Sequence, residues 1–243
     1  METDQLRRLW KLAFGDSEVF IGIFFDTAYA PERCHRIDLS GQTAAALHWL
    51  DCSYRGQKLA YIYAVATHPA FRGGGLCREL MQKTHETLAS RGYAGALLMP
   101  AESGLRQMYA KMGYRECCTV REFSCTAGAA VSIREIGPEE YTRLRRRYLP
   151  ENGVLQEGES IAYLHTYARF YAGEDFLLAG APDKDSFHGI ELLGNPDAAP
   201  GILAALGYAE GTFRGPGPDI PFAMFHPLTE NSPAPGYLGL AFD

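Results

Sequence analysis

Eight unbroken apolar residues, Leu59-Ala60-Tyr61-Ile62-Tyr63-Ala64-Val65-Ala66, lead through the turn Thr67-His68-Pro69-Ala70-Phe71 into Arg72-Gly73-Gly74-Gly75-Leu76-Cys77. The run reads as a strand. Beyond the glycines, Leu76, Leu80, Met81, Thr84 and Leu88 recur at spacings of three and four, which is one face of a helix. Strand, glycine loop and helix start together make an anion site. Glycines let consecutive backbone N–H groups turn toward one point, and the first-turn amides of a helix have no partner inside it. The helix dipole adds ~0.3–1 kcal/mol for an exposed anion.

Three consecutive glycines alone also describe a loop tip, so rival phosphate motifs are worth testing. A Walker loop ends in Gly-Lys-Ser or Gly-Lys-Thr, whereas Gly75 is followed by Leu76 and Cys77. A dinucleotide fingerprint has glycines at spacings of two and three. Gly73 and Gly75 meet the first spacing, but Arg78 stands where the third glycine belongs.

The pattern that fits is Arg-x-x-Gly-x-(Gly/Ala), and with it the chain resembles the GNAT superfamily of N-acetyltransferases from about Leu6 to about Cys125. Val65-Ala66-Thr67-His68-Pro69 is similar to that family's Val-x-Val-x-Pro before the loop. Tyr109-Ala110-Lys111-Met112-Gly113-Tyr114 is similar to its Tyr-x-x-x-Gly-(Phe/Tyr). The opening Leu9 to Asp16, with Phe24-Phe25, resembles the paired first helices. One position departs: Cys77 replaces the last Gly or Ala, a small and modestly apolar exchange.

Composition narrows the classes. With 243 residues the chain suits one large domain or two small ones, and 47% hydrophobic with 21% charged residues is a globular balance. A formal charge of −6 and a short basic run, Arg143 to Arg147, argue against a nucleic-acid surface. No window approaches the ~20 apolar residues of a membrane span. The first residues lack the pattern of a signal peptide. The six cysteines show no Cys-x-x-Cys or zinc spacing and read as thiols of a reducing cytoplasm, with no metal site.

The predicted order in the first half is helices at 4–14 and 17–29, strands at 34–39, 43–54 and 58–66, helix 75–91, strand 94–99, helix 103–112 and strand 114–124. This is a mixed α/β (α+β layered) plan, by resemblance a GNAT-like central sheet flanked by helices. Thr126-Ala127-Gly128-Ala129-Ala130 reads as a linker. After it come strand 131–136, helix 138–149, helix 160–172, strands 175–180 and 187–193, helix 198–206, and strands 221–227 and 236–242. Gly207-Tyr208 echoes Gly113-Tyr114. The expectation is a GNAT domain over 1–127 and a smaller degenerate GNAT-like copy over 128–243 with an acceptor-site or structural role.

The resemblance implies acetyl-CoA as co-substrate and acetyl transfer to an amine of a small molecule or peptide. It implies that Arg72, Gly73, Gly74, Gly75, Leu76 and Cys77 hold the pyrophosphate. The backbone of Val65, Ala66 and Thr67 would then pair with the pantetheine arm, and Tyr109 would act as general acid. A phenol's pKa near 10 keeps it protonated at neutral pH; core filling beside Leu105 and Met112 is the alternative. Glu102, seven residues before the tyrosine, is offered as a base or as a helix start. The terminal carboxylate of Asp243 is a further candidate base. His68 reads as a turn residue, the segment around Glu151 to Glu159 as a surface loop, and Tyr163, Tyr167, Phe170 and Tyr171 as one helix face. Two other functions stay open: a CoA-binding or sensing module without catalysis, and an interaction scaffold. Homo-oligomerisation is likewise open.

Overall fold

The computed structural model describes residues 2–242, the Glu2 side chain excepted. The Asp243 carboxylate therefore lies outside the described residues. The elements in order are α1 (Glu2–Phe14), α2 (Glu18–Thr27), β1 (Cys34–Leu39), β2 (Gln42–Tyr54), β3 (Gln57–Thr67), α3 (Leu76–Ser90), β4 (Gly95–Leu98), α4 (Ser103–Ala110) and β5 (Arg115–Thr126). Then follow β6 (Arg134–Ile136), α5 (Pro138–Tyr148), β7 (Leu155–Gln156), α6 (Glu159–His165), β8 (Arg169–Ala172), β9 (Phe176–Pro182), β10 (Phe187–Gly194), α7 (Ala199–Leu206), β11 (Glu210–Pro216) and β12 (Ile220–Pro227). The chain forms two compact units, Met1–Arg115 with Met224–Ala234, and Glu116–Ala223 with Pro235–Asp243.

In the first unit the strand order is β1-β2-β3-β4-β12. β1, β2 and β3 are antiparallel neighbours, β4 joins β3 in parallel, and Met224–Pro227 of β12 closes the sheet antiparallel to β4. The two hairpins turn at Ser40-Gly41 and Arg55-Gly56, where all four φ angles are positive, as the twist of paired strands favours. β2 is buried along almost its whole length because both faces are covered. Leu47 and Trp49 point into a core with Leu80, Met81 and Leu88 of α3 and with Tyr109 of α4. On the other face Ala46 and Ala66 meet Leu6 and Leu9 of α1. Each such buried side chain contributes ~1.5–3 kcal/mol. Ser17 starts α2 by accepting a hydrogen bond from the Phe20 amide at 3.1 Å.

The second unit has the order β5-β11-β10-β9-β8-β6. β6, β8, β9 and β10 are antiparallel neighbours, β11 joins β10 in parallel, and β5 is antiparallel to β11. α7 connects the parallel pair and covers Phe187, Leu192 and Phe213. Against α5, the Tyr141 ring stacks on Phe170 with centroids 4.0 Å apart.

Three local expectations change. The helix expected over 160–172 ends at His165, and Arg169–Ala172 is a strand paired on both sides. Tyr163 stays on the helix, while Phe170 is buried and Tyr171 half-buried by strand alternation. The stretch 236–242 is not a strand but an irregular segment, buried from Tyr237 through Phe242, with Gly239 against the Glu191 carboxylate. The segment 151–159 is no plain surface loop: Val154 and Gln156 are buried, and the Gln156 Nε2 amide donates to the Leu240 carbonyl at 2.5 Å.

Candidate active site

The site begins with an irregularity in β3. Ala46 pairs with Ala66 and His48 with Tyr63, so Ala64 and Val65 together face the single residue Leu47. This is a β-bulge, and Ala64 takes the left-handed conformation, φ 50°. An alanine there costs ~1–2 kcal/mol. On the other edge of β3 the pairs with β4 run only from Leu59↔Gly95 to Tyr61↔Leu97, while β3 continues to Thr67. Val65, Ala66 and Thr67 thus lie on the part of β3 beyond its pairing with β4.

The loop follows. Arg72 donates from Nε to the Thr67 carbonyl at 3.2 Å, tying the loop back to the strand end. Gly73 and Gly75 have φ of 80° and 84°, and nothing lies within 4 Å of where a Cβ would stand on either. Only the backbone conformation asks for glycine there; the space above is open. Gly75 caps α3, whose first backbone bond runs from the Glu79 amide to the Gly75 carbonyl at 3.1 Å. Among the described residues, the amides of Gly73 through Arg78 make no backbone hydrogen bond. Open space and unpaired amides at a helix start make a cradle that suits a diphosphate.

Tyr109 sits on α4, 6% exposed, in the same apolar cluster as Leu76, Cys77, Leu105 and Met112. Its ring meets Tyr114 edge-on at 5.8 Å, and its hydroxyl has no hydrogen-bond partner among the described residues. Burial, and then the nearby Cys77, push the phenol well above its ordinary pKa. The Cys77 thiol is itself pushed up by burial. Both groups are neutral at physiological pH. Tyr114 is anchored in turn by His85, with Nε2 and the hydroxyl 2.9 Å apart, and the His85 ring stacks on His226 at 4.2 Å.

Glu102 occupies the N-cap position of α4 but its carboxylate makes no capping bond, and it is exposed. His68 accepts from the Ala70 amide at 3.2 Å and so caps the short turn before the loop, as a turn residue does. The sequence signal missed the bulge at Ala64, because no glycine marks it, and the His85–Tyr114–His226 cluster, whose members are far apart in the chain.

Residues 1–117 match the family model described as an acetyltransferase (GNAT) domain. The amino-terminal segment is a GNAT domain. Solved structures share the fold over nearly the whole chain. The GCN5-related N-acetyltransferase from Anabaena variabilis aligns with TM-score 0.74 and 14% identity over 94% of this chain and 71% of that one. The GCN5-related N-acetyltransferase from Kribbella flavida gives 0.69 and 17% over 92% and 68%. A tandem GNAT protein from the clavulanic acid biosynthesis pathway gives 0.56 and 12% over 94% and 95%. At these identities the likeness is one of fold. Sequence comparison with curated proteins finds no match.

GNAT membership carries a coarse activity, acyl transfer from acetyl-CoA to an acceptor of the amine kind. Among the described residues no three His, Cys, Asp or Glu side chains gather to hold a metal ion, and no helix is long and apolar enough to cross a membrane.

Proposed function

We propose that this chain is an acetyl-CoA-dependent N-acyltransferase that moves an acetyl group to an amine of a small molecule or peptide by direct attack on the thioester. The observation that carries the reading is the cradle at Gly73–Arg78, where amides without backbone partners meet open space at the start of α3. Arg72, Gly73, Gly74, Gly75, Leu76 and Cys77 would hold the pyrophosphate. Val65, Ala66 and Thr67 would align the pantetheine arm along the β3 edge. Acetyl-CoA supplies the activated acyl group. Orientation of this kind is worth up to ~7–11 kcal/mol.

Tyr109 holds the proton. Its raised pKa keeps the phenol protonated, so it can donate toward a departing thiolate that shares the same water-poor surroundings. Glu102, exposed at the start of α4, would take the amine proton through solvent.

Residues 128–243 read as a degenerate copy of the same plan, in a structural or acceptor-site role. Support comes from topology: antiparallel β8, β9 and β10, then α7, then parallel β11, repeat the order of β1, β2, β3, α3 and β4. The entrance to α7 lacks the Arg-x-x-Gly-x-Gly pattern and carries Pro196 and Pro200, which have no N–H to offer an anion. Asn195 already accepts from the Asp197 amide at 3.0 Å.

The test is a thiol-release assay against an amine panel beside calorimetric titration with acetyl-CoA. Binding with release on an amine supports the enzyme. Binding without release on any amine would favour a CoA-sensing module, consistent with a buried Tyr109, and no binding would remove both.

A further inference from the structure

Cys117 and Cys118 are neighbours on β5, and their sulfurs lie 3.2 Å apart. Strand alternation sends successive side chains to opposite faces, so a contact this short needs both side chains to turn toward one another. Each sulfur also reaches a backbone carbonyl, Cys117 that of Ala223 at 3.5 Å and Cys118 that of Pro235 at 3.8 Å. Cys117 is half-buried and Cys118 buried, so one thiol is open to a small reagent and the other is held behind it. The remaining cysteines, 34, 52, 77 and 125, are in no disulfide.

We propose that Cys117 and Cys118 form a reversible redox site that closes to a vicinal disulfide when a hydroperoxide attacks. In the first step the Cys117 sulfur takes the distal oxygen of the hydroperoxide. The O–O bond breaks, Cys117 becomes a sulfenic acid, and an alcohol or water leaves. In the second step the Cys118 sulfur attacks the Cys117 sulfur, the S–O bond breaks, and the hydroxyl departs as water with the Cys118 proton. The sum is two thiols and one hydroperoxide giving one disulfide, one water and one alcohol or second water. A small thiol supplies the two electrons for the return. Adjacent Cα atoms stand ~3.8 Å apart, closer than the usual ~4.4–6.8 Å span across a disulfide. The closed ring is therefore easily reduced, as a switch requires and a structural bridge does not.

Trypsin cuts after Arg115 and Arg121, so one peptide, Glu116–Arg121, carries both sulfurs and no other cysteine. The full-length protein is treated with hydrogen peroxide, alkylated, digested and weighed. The expected result is that this peptide loses two hydrogens and escapes alkylation on the order of tenfold faster than any other cysteine reacts. Dithiothreitol restores two alkylations. In Cys118→Ser the sulfenic acid on Cys117 persists and is trapped by dimedone. Sulfinic acid on Cys117 without a disulfide, or a doubly alkylated peptide while other cysteines oxidise, would overturn the proposal. The wild-type measurement stands even if the variant folds poorly.

Discussion

Arg145 grips Glu191 with two hydrogen bonds, Nε to Oε2 at 2.7 Å and Nη2 to Oε1 at 2.9 Å, and both side chains are sealed from water. The Tyr141 and Tyr237 hydroxyls donate to the same carboxylate at 2.9 and 3.1 Å. Gly239 passes so close to Glu191 that no Cβ would fit. Glu191 is the anchor on which the irregular end of the chain is hung. Leaving Arg145 buried without its partner, Glu191→Ala should cost about 3–5 kcal/mol, read as a lower denaturant midpoint. An Arg145→Met, Glu191→Leu double change should recover most of that loss; equal instability in both variants would show that the pair does not act as a unit.

Gly75 stands at φ 84°, where a side chain is strained even though the space around it is open. Gly75→Ala is expected to weaken acetyl-CoA binding by roughly tenfold, equivalent to ~1.4 kcal/mol, with circular dichroism unchanged. Calorimetry checks this directly. Unaltered affinity would move the diphosphate away from the loop.

Tyr109→Phe removes the hydroxyl and little else from a ring packed among Leu76, Cys77 and Leu105. Turnover should fall about 10²-fold, within the range for acid–base groups, while affinity for acetyl-CoA holds. Steady-state kinetics and titration together separate this from a packing defect, which would lower both.

Acid should unfold the first unit. His48 is buried amid Trp10, Phe24, Phe25 and Tyr29, and burial lowers its pKa to about 3. Burial, helped by His226, lowers His85 to about 3 as well. Unfolded, each takes a proton near pH 6.5. Between those values the unfolded chain binds more protons than the folded one, so stability is complete above about pH 6.5 and falls toward pH 3. The slope is about 1.4 kcal/mol per pH unit for each histidine. Denaturant titrations at several pH values should lose part of that slope in His48→Phe. A flat profile in the wild type would refute the assignment.

The loop and α3 were legible because their signals are local: glycines where φ turns positive, and an apolar stripe at helical spacing. Tyr109 and the loop residues are placed in one unit, with Cys77 and Tyr109 in one cluster. What stayed hidden depends on partners distant in sequence. Ala64 carries no local mark of its left-handed backbone, which is forced by the register with β2. Phe170 and Tyr171 suit a helix or a strand equally, and pairing with β6 and β9 decides. β11 escaped notice because Gly211 and Gly215 dilute its apolar pattern, yet each lies against a β10 carbonyl, of Phe187 and of Leu192, where any Cβ would collide. The end of the chain resembles a strand, but Gln156 satisfies Leu240 by side chain, at 2.5 and 3.3 Å, in place of a ladder.

β4 is only four residues long, and one of its neighbours, Met224–Pro227, is made long after it. During synthesis the loop, α3 and Tyr109 emerge long before the strand that completes their sheet. For that interval β4 presents an open apolar edge, a template for wrong pairing. Maturation of the first unit is thus tied to translation reaching β12, and a ribosome stalled before it releases a product whose sheet stays unfinished.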